Sequence, residues 1–597
     1  TEDGSNVLAW KISKVTDLNG NTVQYKYTTD RSQGSYIKEI IYGENGDIKI
    51  SFNYVNNNIP ISSFVDGSFF NANLLLSGIA VNTGQTQYEK YSFNYSNTHL
   101  SKILERSING EELALNCKWG GFTEESKWGK ILEVEEKGNS YFVSGDLTGD
   151  GKIDLVRFYS NKNDNYLEIF IQENGEYVLK LQEQIVGNGP ESVSSLLGLI
   201  DMNNDGNAEI VIITQSKYKS LVMANIRYYD YSENLAPKLD NVFIERFELE
   251  ADDGILLPVN LDNDAIPDFV FVGKNGRSLS ESSVDKSLKT LNLSIGDIDK
   301  AIPFDYDGDG ISELLVRSND KWIITSMDNS LSKELINDAD YTFAKVLDIN
   351  NDGLEDIVFI SKYAVAKCFI NRGNLIFDEK IVDSIQKYIS DLISEYALGF
   401  ELKDIDICGS DYNNDSYNDL FVNFDLIWNT VVPVPGVFPP IYQPAEGKNN
   451  IIMRLLGNGN DYRADCLSKH DLYDRQILSD DFDNDGIQEI AVVINGNEIQ
   501  KYGANVSKRN LLYSIDNNGI TKVIFDYDFA SNNGLHNCPV NISEGNVLRY
   551  INVPVPLVKE LGKPNGQGKI CSSTYKYYNG RYHTDGLGML GFEKIEQ

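Results

Sequence analysis

The chain has 597 residues, 41% hydrophobic and 24% charged, so it can bury a core and is not disordered by composition. Lysine and arginine number 53 against 88 aspartates and glutamates, a formal charge of −35, which argues strongly against nucleic acid and disfavours anionic membrane surfaces as partners. With 34 Tyr, 26 Phe and 48 Gly but 15 Pro, the composition favours β-structure with many tight turns, and no apolar run approaches the ~18 residues of a membrane-crossing helix.

In chain order, the opening TEDGSNVLAWKISKV has no Met, no basic stretch and no apolar stretch. It is not expected to be a signal peptide and reads as the interior of a longer polypeptide. Residues 1–125 alternate apolar and polar positions, and Asp17–Tyr27 carries a hairpin signal around NGN. They are expected to form a β-sheet segment.

Residues 126–505 contain a repeated acidic loop followed by an apolar strand, in seven copies starting at Asp146, Asp201, Asn260, Asp305, Asp348, Asp411 and Asp481. The spacing leaves room for about four short strands per unit, the size of one propeller blade. Seven blades are expected, with six as the alternative. Oxygen side chains recur at loop positions 1, 3, 5 and 9. They are Asp146, Thr148, Asp150 and Asp154 in the first copy, then Asp201, Asn203, Asp205 and Glu209. The third and fourth carry Asn260, Asp262, Asp264, Asp268 and Asp305, Asp307, Asp309, Glu313. The last three carry Asp348, Asn350, Asp352, Asp356, then Asp411, Asn413, Asp415, Asp419, then Asp481, Asp483, Asp485, Glu489.

Alternating oxygens on a tight turn converge on one point, and a flexible set of six or seven oxygens suits Ca²⁺ better than Mg²⁺. Position 6 is glycine in five copies, as a turn through positive φ requires, but Ala265 in the third and Ser416 in the sixth. The third copy is the one expected to be empty. The competing reading is a set of Asx turns without metal. An EF-hand is ruled out by the closing acid at position 9 and the β-rich run that follows.

Two segments interrupt the repeat. Residues 378–398 have apolar side chains near helical spacing and are expected to form an amphipathic helix inserted in a blade. Residues 428–445, WNTVVPVPGVFPPIYQPA, are expected to form a long apolar loop, either packed or used for docking, with Val553–Pro556 a weaker example. Residues 506–597 return to sheet-like alternation, with hairpin patterns at 511–528 and 574–597. The propeller is therefore inserted into, or flanked by, a larger sheet.

Nothing catalytic stands out. Cys117, Cys368, Cys408, Cys466, Cys538 and Cys571 are scattered, as are His99, His470, His536 and His583, and no GxSxG, HExxH or P-loop occurs. A glycosidase acid pair was weighed and set aside, because most acid pairs belong to the loops.

The acidic loops resemble the FG-GAP/VCBS-type calcium repeats of integrin-like β-propellers. That resemblance implies up to seven structural Ca²⁺ ions that staple blade loops and do no catalysis. The flanks carry a second resemblance. WKISKVTDLNGN at Trp10–Asn21, IIYG at Ile40–Gly43 and the terminal YKYYNGRYH…GMLGFEK are similar to the SpvB/TcB class, the B components of bacterial toxin complexes related to Rhs/YD-repeat proteins. It implies a secreted, non-enzymatic assembly part. In it a shell encloses a toxic polypeptide, and a propeller gate docks on a channel-forming A component beside an Rhs-type C component. Direct membrane insertion is not expected, and this stretch by itself is expected to be monomeric. The alternative is a secreted or surface adhesin-like binding propeller.

Overall fold

A computed structural model describes residues 11–597 apart from short stretches, of which those of four residues or more are 29–34, 121–125, 186–191, 203–206, 233–237, 282–287, 393–398, 412–416, 434–441, 458–461, 471–474, 505–510, 538–547 and 584–587. The protein is all-β, with a β-propeller set between segments of a larger sheet. Among the described residues, seven four-stranded antiparallel sheets follow one another along the chain, from the blade opening at Ser140–Gly145 to the one opening at Arg475–Asp480. Successive blades lie side by side, and the seventh returns to the first.

The second strand of a blade explains why the chain closes into a ring. Asp268–Gly273 and Asp356–Ser361 are buried along their whole length, and the sequences DFVFVG and DIVFIS are apolar on both faces. A strand reads this way when both faces are covered, here by the two neighbouring blades. Val211 and Ile226 of the second blade accordingly share a core with Phe269 and Phe271 of the third. Leu478 and Val493 of the seventh share one with Phe142 and Phe170 of the first.

Ring closure uses a strand from ahead of the first blade. Ser126–Glu133 pairs with Glu498–Ala504 as the outermost strand of the seventh blade. Arg157 locks this clasp from inside, fully buried. Its guanidinium donates to the Glu168 carboxylate at 3.2 Å, the Glu135 carbonyl at 3.0 Å and the Ser140 hydroxyl at 3.1 Å. Ser140 in turn donates to the Gly496 carbonyl of the seventh blade at 2.7 Å.

In the flanks, His536–Asn537, Leu548–Tyr550, Lys576–His583 and Gly588–Glu596 make a small sheet of their own, and the other strands form one larger sheet. Its 12 strands run in order through the eight that precede Ser126 and then the strands Leu512–Asp516, Lys522–Phe529, Pro556–Pro564 and Ile570–Thr574. Glu112–Trp119 pairs directly with Leu512–Asp516, so the propeller is an insertion between two adjacent strands. The hairpins expected at Asp17–Tyr27, 511–528 and 574–597 are present. An aromatic side chain recurs as a clamp to the strand before it. Tyr27, Tyr54, Tyr95 and Tyr527 donate to the carbonyls of Ile12, Ile37, Leu76 and Leu512, and the Trp119 indole donates to that of Leu100.

One long hairpin, Ile48–Val65 with Ser68–Thr83, reaches from this sheet to the propeller. Near its tip the Phe64 amide donates to the Asp352 carbonyl at 2.7 Å, in the acidic loop of the fifth blade.

Two expectations are corrected. The helix spans only Ser384–Leu392, because 378–382 belongs to the strand Phe377–Val382, paired with Ala366–Asn371. Ile385 and Ile389 are fully buried in the core between the fifth and sixth blades. Residues 428–445 are not a loop throughout: Asp419–Pro433 and Tyr442–Gly457 pair as a hairpin up to Pro433 and Tyr442. Among the described residues, the flanking strands of that blade pair with the hairpin as far as Asn429 and Asn450. Residues 434–441, 393–398 and 552–554, on which parts of these expectations fall, lie outside the described residues. Among the described residues no helix is long and apolar enough to cross a membrane.

Candidate metal centres

Every acidic loop joins the first strand of a blade to its second, which places all of them at one end of the ring. The register repeats. The residue before position 1 pairs with position 9, as in Gly145 with Asp154, Val259 with Asp268, Phe304 with Glu313, Leu347 with Asp356 and Asp480 with Glu489. Position 9 therefore opens the buried second strand and carries a carboxylate into the blade.

The backbone of the loop wraps around position 1. Asp146 accepts from the Gly149 and Gly151 amides, both at 2.7 Å, and Asp305 accepts from Gly308 and Gly310 at 2.7 and 2.9 Å. Asp348 and Asp481 hold the amides of Gly353 and Gly486, each at 2.8 Å. This wrap needs left-handed backbone at position 6, where Gly151, Gly310, Gly353 and Gly486 have φ of 78°, 84°, 86° and 81°. It also needs it at position 4, where Gly149, Gly308, Asn351 and Asn484 have φ of 71°, 72°, 59° and 58°. Glycine and asparagine tolerate that region best. Position 4 is one or the other in all seven copies, a regularity legible in the sequence but not used in reading it. At position 5, Asp150, Asp309, Asp352 and Asp485 each accept from the amide two residues on, at 2.8–3.1 Å.

Position 9 divides the loops. Asp154 engages both oxygens on backbone, with the Leu147 amide at 3.1 Å and the Gln172 amide at 3.0 Å. Asp356 does the same with Ile349 at 2.9 Å and Asn371 at 2.6 Å. Asp419 accepts from Gly457 at 2.8 Å, and Asp268 from Leu261 at 2.6 Å. Glu209 and Glu489 accept from the position 2 amides of Met202 and Phe482 at 2.6 and 2.9 Å. The extra methylene of glutamate lets it reach further into the loop. In the seventh loop Asp481, Asp483, Asp485 and Glu489 each bring a carboxylate oxygen within 4.8 Å of the others, and in the fourth Asp305, Asp307 and Glu313 do so.

Among the described residues, positions 1, 3, 5 and 9 lie gathered in the seventh loop and, without Asp309, in the fourth. In the first and fifth, Asp146, Asp150 and Asp154, and Asp348, Asp352 and Asp356, are not gathered within that distance, and position 9 bonds two backbone amides. Thr148 turns its amide to Asp146 at 3.2 Å, and Asn350 bonds Asp352 at 3.0 Å. Asp201, Asn260, Asp262 and Asp411 are described, whereas Asn203, Asp205, Asp264, Asn413 and Asp415 lie outside the described residues.

Two observations bear on whether a cation fits. The Asp307 Oδ1 atom is buried with no hydrogen-bond partner, beside two further carboxylates. Burial, reinforced by neighbouring carboxylates, raises the acids across the loops: Asp305 and Asp481 to about 6, Asp485 to about 7 and Glu313 to about 8. A donor set of clustered, desolvated carboxylates fits a hard divalent cation. Part of the charge is met within the chain, since Lys152 pairs with Asp150, and Lys501 with Asp483 and Glu489.

A family profile for the FG-GAP-like repeat matches residues 146–212, the first acidic loop through the second. No curated protein matches the chain in sequence. Among solved structures, the chain is similar to BBS1N in complex with ARL6DN at 10% identity and TM-score 0.36, covering 64% of this chain and 98% of that one. It is also similar to the WD40 domain of SCAP from fission yeast, at 11% identity and TM-score 0.32, covering 76% and 98%. A third is rhamnogalacturonan lyase YesW, at 13% identity and TM-score 0.33, covering 82% and 91%.

Proposed function

We propose that this chain is a non-enzymatic scaffold and docking part of a secreted bacterial toxin complex, a B-type component whose propeller is carried by a shell sheet. The observation that carries this reading is the pairing of Glu112–Trp119 with Leu512–Asp516, which makes the propeller an insertion within one sheet of 12 strands. A free-standing adhesin propeller has no need of such a sheet. The repeated aromatic clamp from strand to strand supports a repeat-built shell, in keeping with the YD-like phrases of the flanks. Its partners in this reading are a channel-forming A component and an Rhs-type C component, and the acidic surface would steer a basic docking face.

In the same reading the loops hold structural Ca²⁺, chiefly Asp481, Asp483, Asp485 and Glu489 in the seventh and Asp305, Asp307 and Glu313 in the fourth. A bound cation would neutralise these carboxylates and draw together strands that otherwise repel. Extracellular calcium is plentiful enough to fill sites of moderate affinity.

The test is a pull-down with the purified chain as bait, from lysate of its source, in calcium and in EDTA. Recovery of a very large channel-forming subunit or an Rhs-type chain, in calcium, is the expected result. Recovery only of glycans or host surface proteins would overturn the toxin-complex reading in favour of adhesion.

A further inference from the structure

The acidic loops touch one another around the ring through one repeated position. Position 8 of five loops, the residue just before the buried acid, meets the start of the preceding loop. The Ala208 amide donates to the Asp146 carbonyl at 2.8 Å. Ser312 donates its amide to the Asn260 carbonyl at 2.7 Å and accepts the Asn260 amide on its hydroxyl at 3.0 Å. The Glu355 carboxylate accepts the Asp305 amide at 2.7 Å. Asn418 donates its side-chain amide to the Asp348 carbonyl at 2.6 Å and its backbone amide to Ile349 at 3.0 Å. The Gln488 carbonyl accepts the hydroxyl of Ser410, the residue before Asp411, at 2.9 Å.

A second row of bonds runs in the same direction. Asn371, fully buried in the fifth blade, donates to the Tyr306 carbonyl of the fourth loop at 2.7 Å and to the Glu355 carbonyl of its own at 3.0 Å. Gln172 of the first blade donates to the Phe482 carbonyl of the seventh loop at 2.7 Å and accepts from Asn484. The bond from Gln172 therefore crosses the clasp, from the first blade to the seventh loop.

We propose that the position 8 side chains of Ser312, Glu355 and Asn418 are positioning residues for the neighbouring cation site, so that an ion ordering one of these loops raises the affinity of the loop that precedes it. The inference rests on the reading of the loops as cation sites. Glu355 is the sharpest case. It belongs to the fifth loop but fixes the main chain of Asp305, the first ligand of the fourth, without joining the cluster of Asp305, Asp307 and Glu313. When the fifth loop is ordered, Glu355 and Asn371 hold Asp305 and Tyr306 in place. When it is loose, the fourth loop must be ordered by its own ion, and that ordering is subtracted from its affinity.

Tyr306 makes the fourth site separately readable, because it stands in the loop between Asp305 and Asp307 and tyrosine sensitises terbium emission at close range. Terbium, a hard trivalent stand-in for calcium, is titrated into the whole chain, and the emission lost in Tyr306→Phe is assigned to the fourth site. Asp352→Asn, which disables the fifth loop, and Glu355→Ala, which removes the brace, are each expected to raise the terbium midpoint of that site about 5-fold or more. Glu355→Gln keeps an acceptor for the Asp305 amide and is expected to restore most of the affinity. Asp483→Asn, in the seventh loop, is expected to leave the midpoint within about twofold. An unchanged midpoint in Asp352→Asn and Glu355→Ala, with emission still dependent on Tyr306, would overturn the coupling and leave the sites standing. Equal weakening by Asp483→Asn would overturn it too, as a general loss of stability. Absence of Tyr306-dependent emission in the unaltered chain would remove the cation reading itself, and the coupling with it.

Discussion

Asp154 and Asp356 give both carboxylate oxygens to backbone amides, while Glu313 and Glu489 reach into a group of acids. Substitutions should separate these two jobs. Asp307→Asn removes a charge from an oxygen that has no partner, so it is expected to shrink the calcium-induced rise in melting temperature while leaving the melt in EDTA unchanged or slightly raised. Asp356→Asn replaces an acceptor that two buried amides need, and is expected to cost about 1–3 kcal/mol with or without calcium. Thermal melts of both variants in the two conditions check this, and identical behaviour would erase the distinction.

The same acids set a pH dependence. Burial raises Asp305, Asp348 and Asp481 to about 6, Asp154 and Asp485 to about 7, and Asp356 and Glu313 to about 8, against about 4 in an unfolded chain. Between pH 4 and 8 the folded, metal-free chain thus binds more protons than the unfolded one, and its stability falls as pH rises. In EDTA the melting temperature should be lower at pH 8 than at pH 5. Calcium should flatten or reverse that trend, because it binds the deprotonated form. A metal-free melt that climbs from pH 5 to pH 8 would contradict the assignment.

At the scale of the elements, the local features were legible in sequence. The acidic turn and the double-faced apolar strand lie within about a dozen residues of each other, and backbone geometry alone dictates the glycines between them. Features that depend on a distant partner were not legible. Ser126–Glu133 reads as an ordinary alternating strand, and nothing in it names Glu498–Ala504 as its neighbour. The arm around Pro433 and Pro444 read as a loop because proline is judged against a central strand, whereas here the two proline-bearing stretches pair with each other. The loop chemistry was half legible. Aspartate and glutamate are equally acidic on paper, and only the buried register at position 9 shows that one is short enough to be held by backbone and the other long enough to reach past it.

For the whole molecule, the clasp makes the propeller self-contained. Residues 121–510 include the closing strand and every blade, and the core between the seventh and first blades depends on Leu132 from that strand. Expressed alone, this segment is expected to fold cooperatively and keep its calcium-dependent melt. A version beginning at residue 136, without the clasp, should melt lower by on the order of 10 °C or more. Differential scanning calorimetry of the two distinguishes them, and equal stability would mean that the ring does not need its borrowed strand.

The insertion of the ring between adjacent strands also sets a timetable for synthesis. Glu133 pairs with Glu498, 365 residues later (498 − 133), and Trp119 pairs with Leu512, 393 residues later (512 − 119). At ~5–20 residues per second, both strands wait roughly 20–80 s as open edges while the blades between them emerge. The nascent chain therefore carries two unpaired β-edges throughout that interval, one on the unfinished sheet and one on the unfinished ring. Unpaired edges are where chains join the wrong neighbour. For a protein this size the critical hazard lies in that interval on the ribosome, before either partner strand exists.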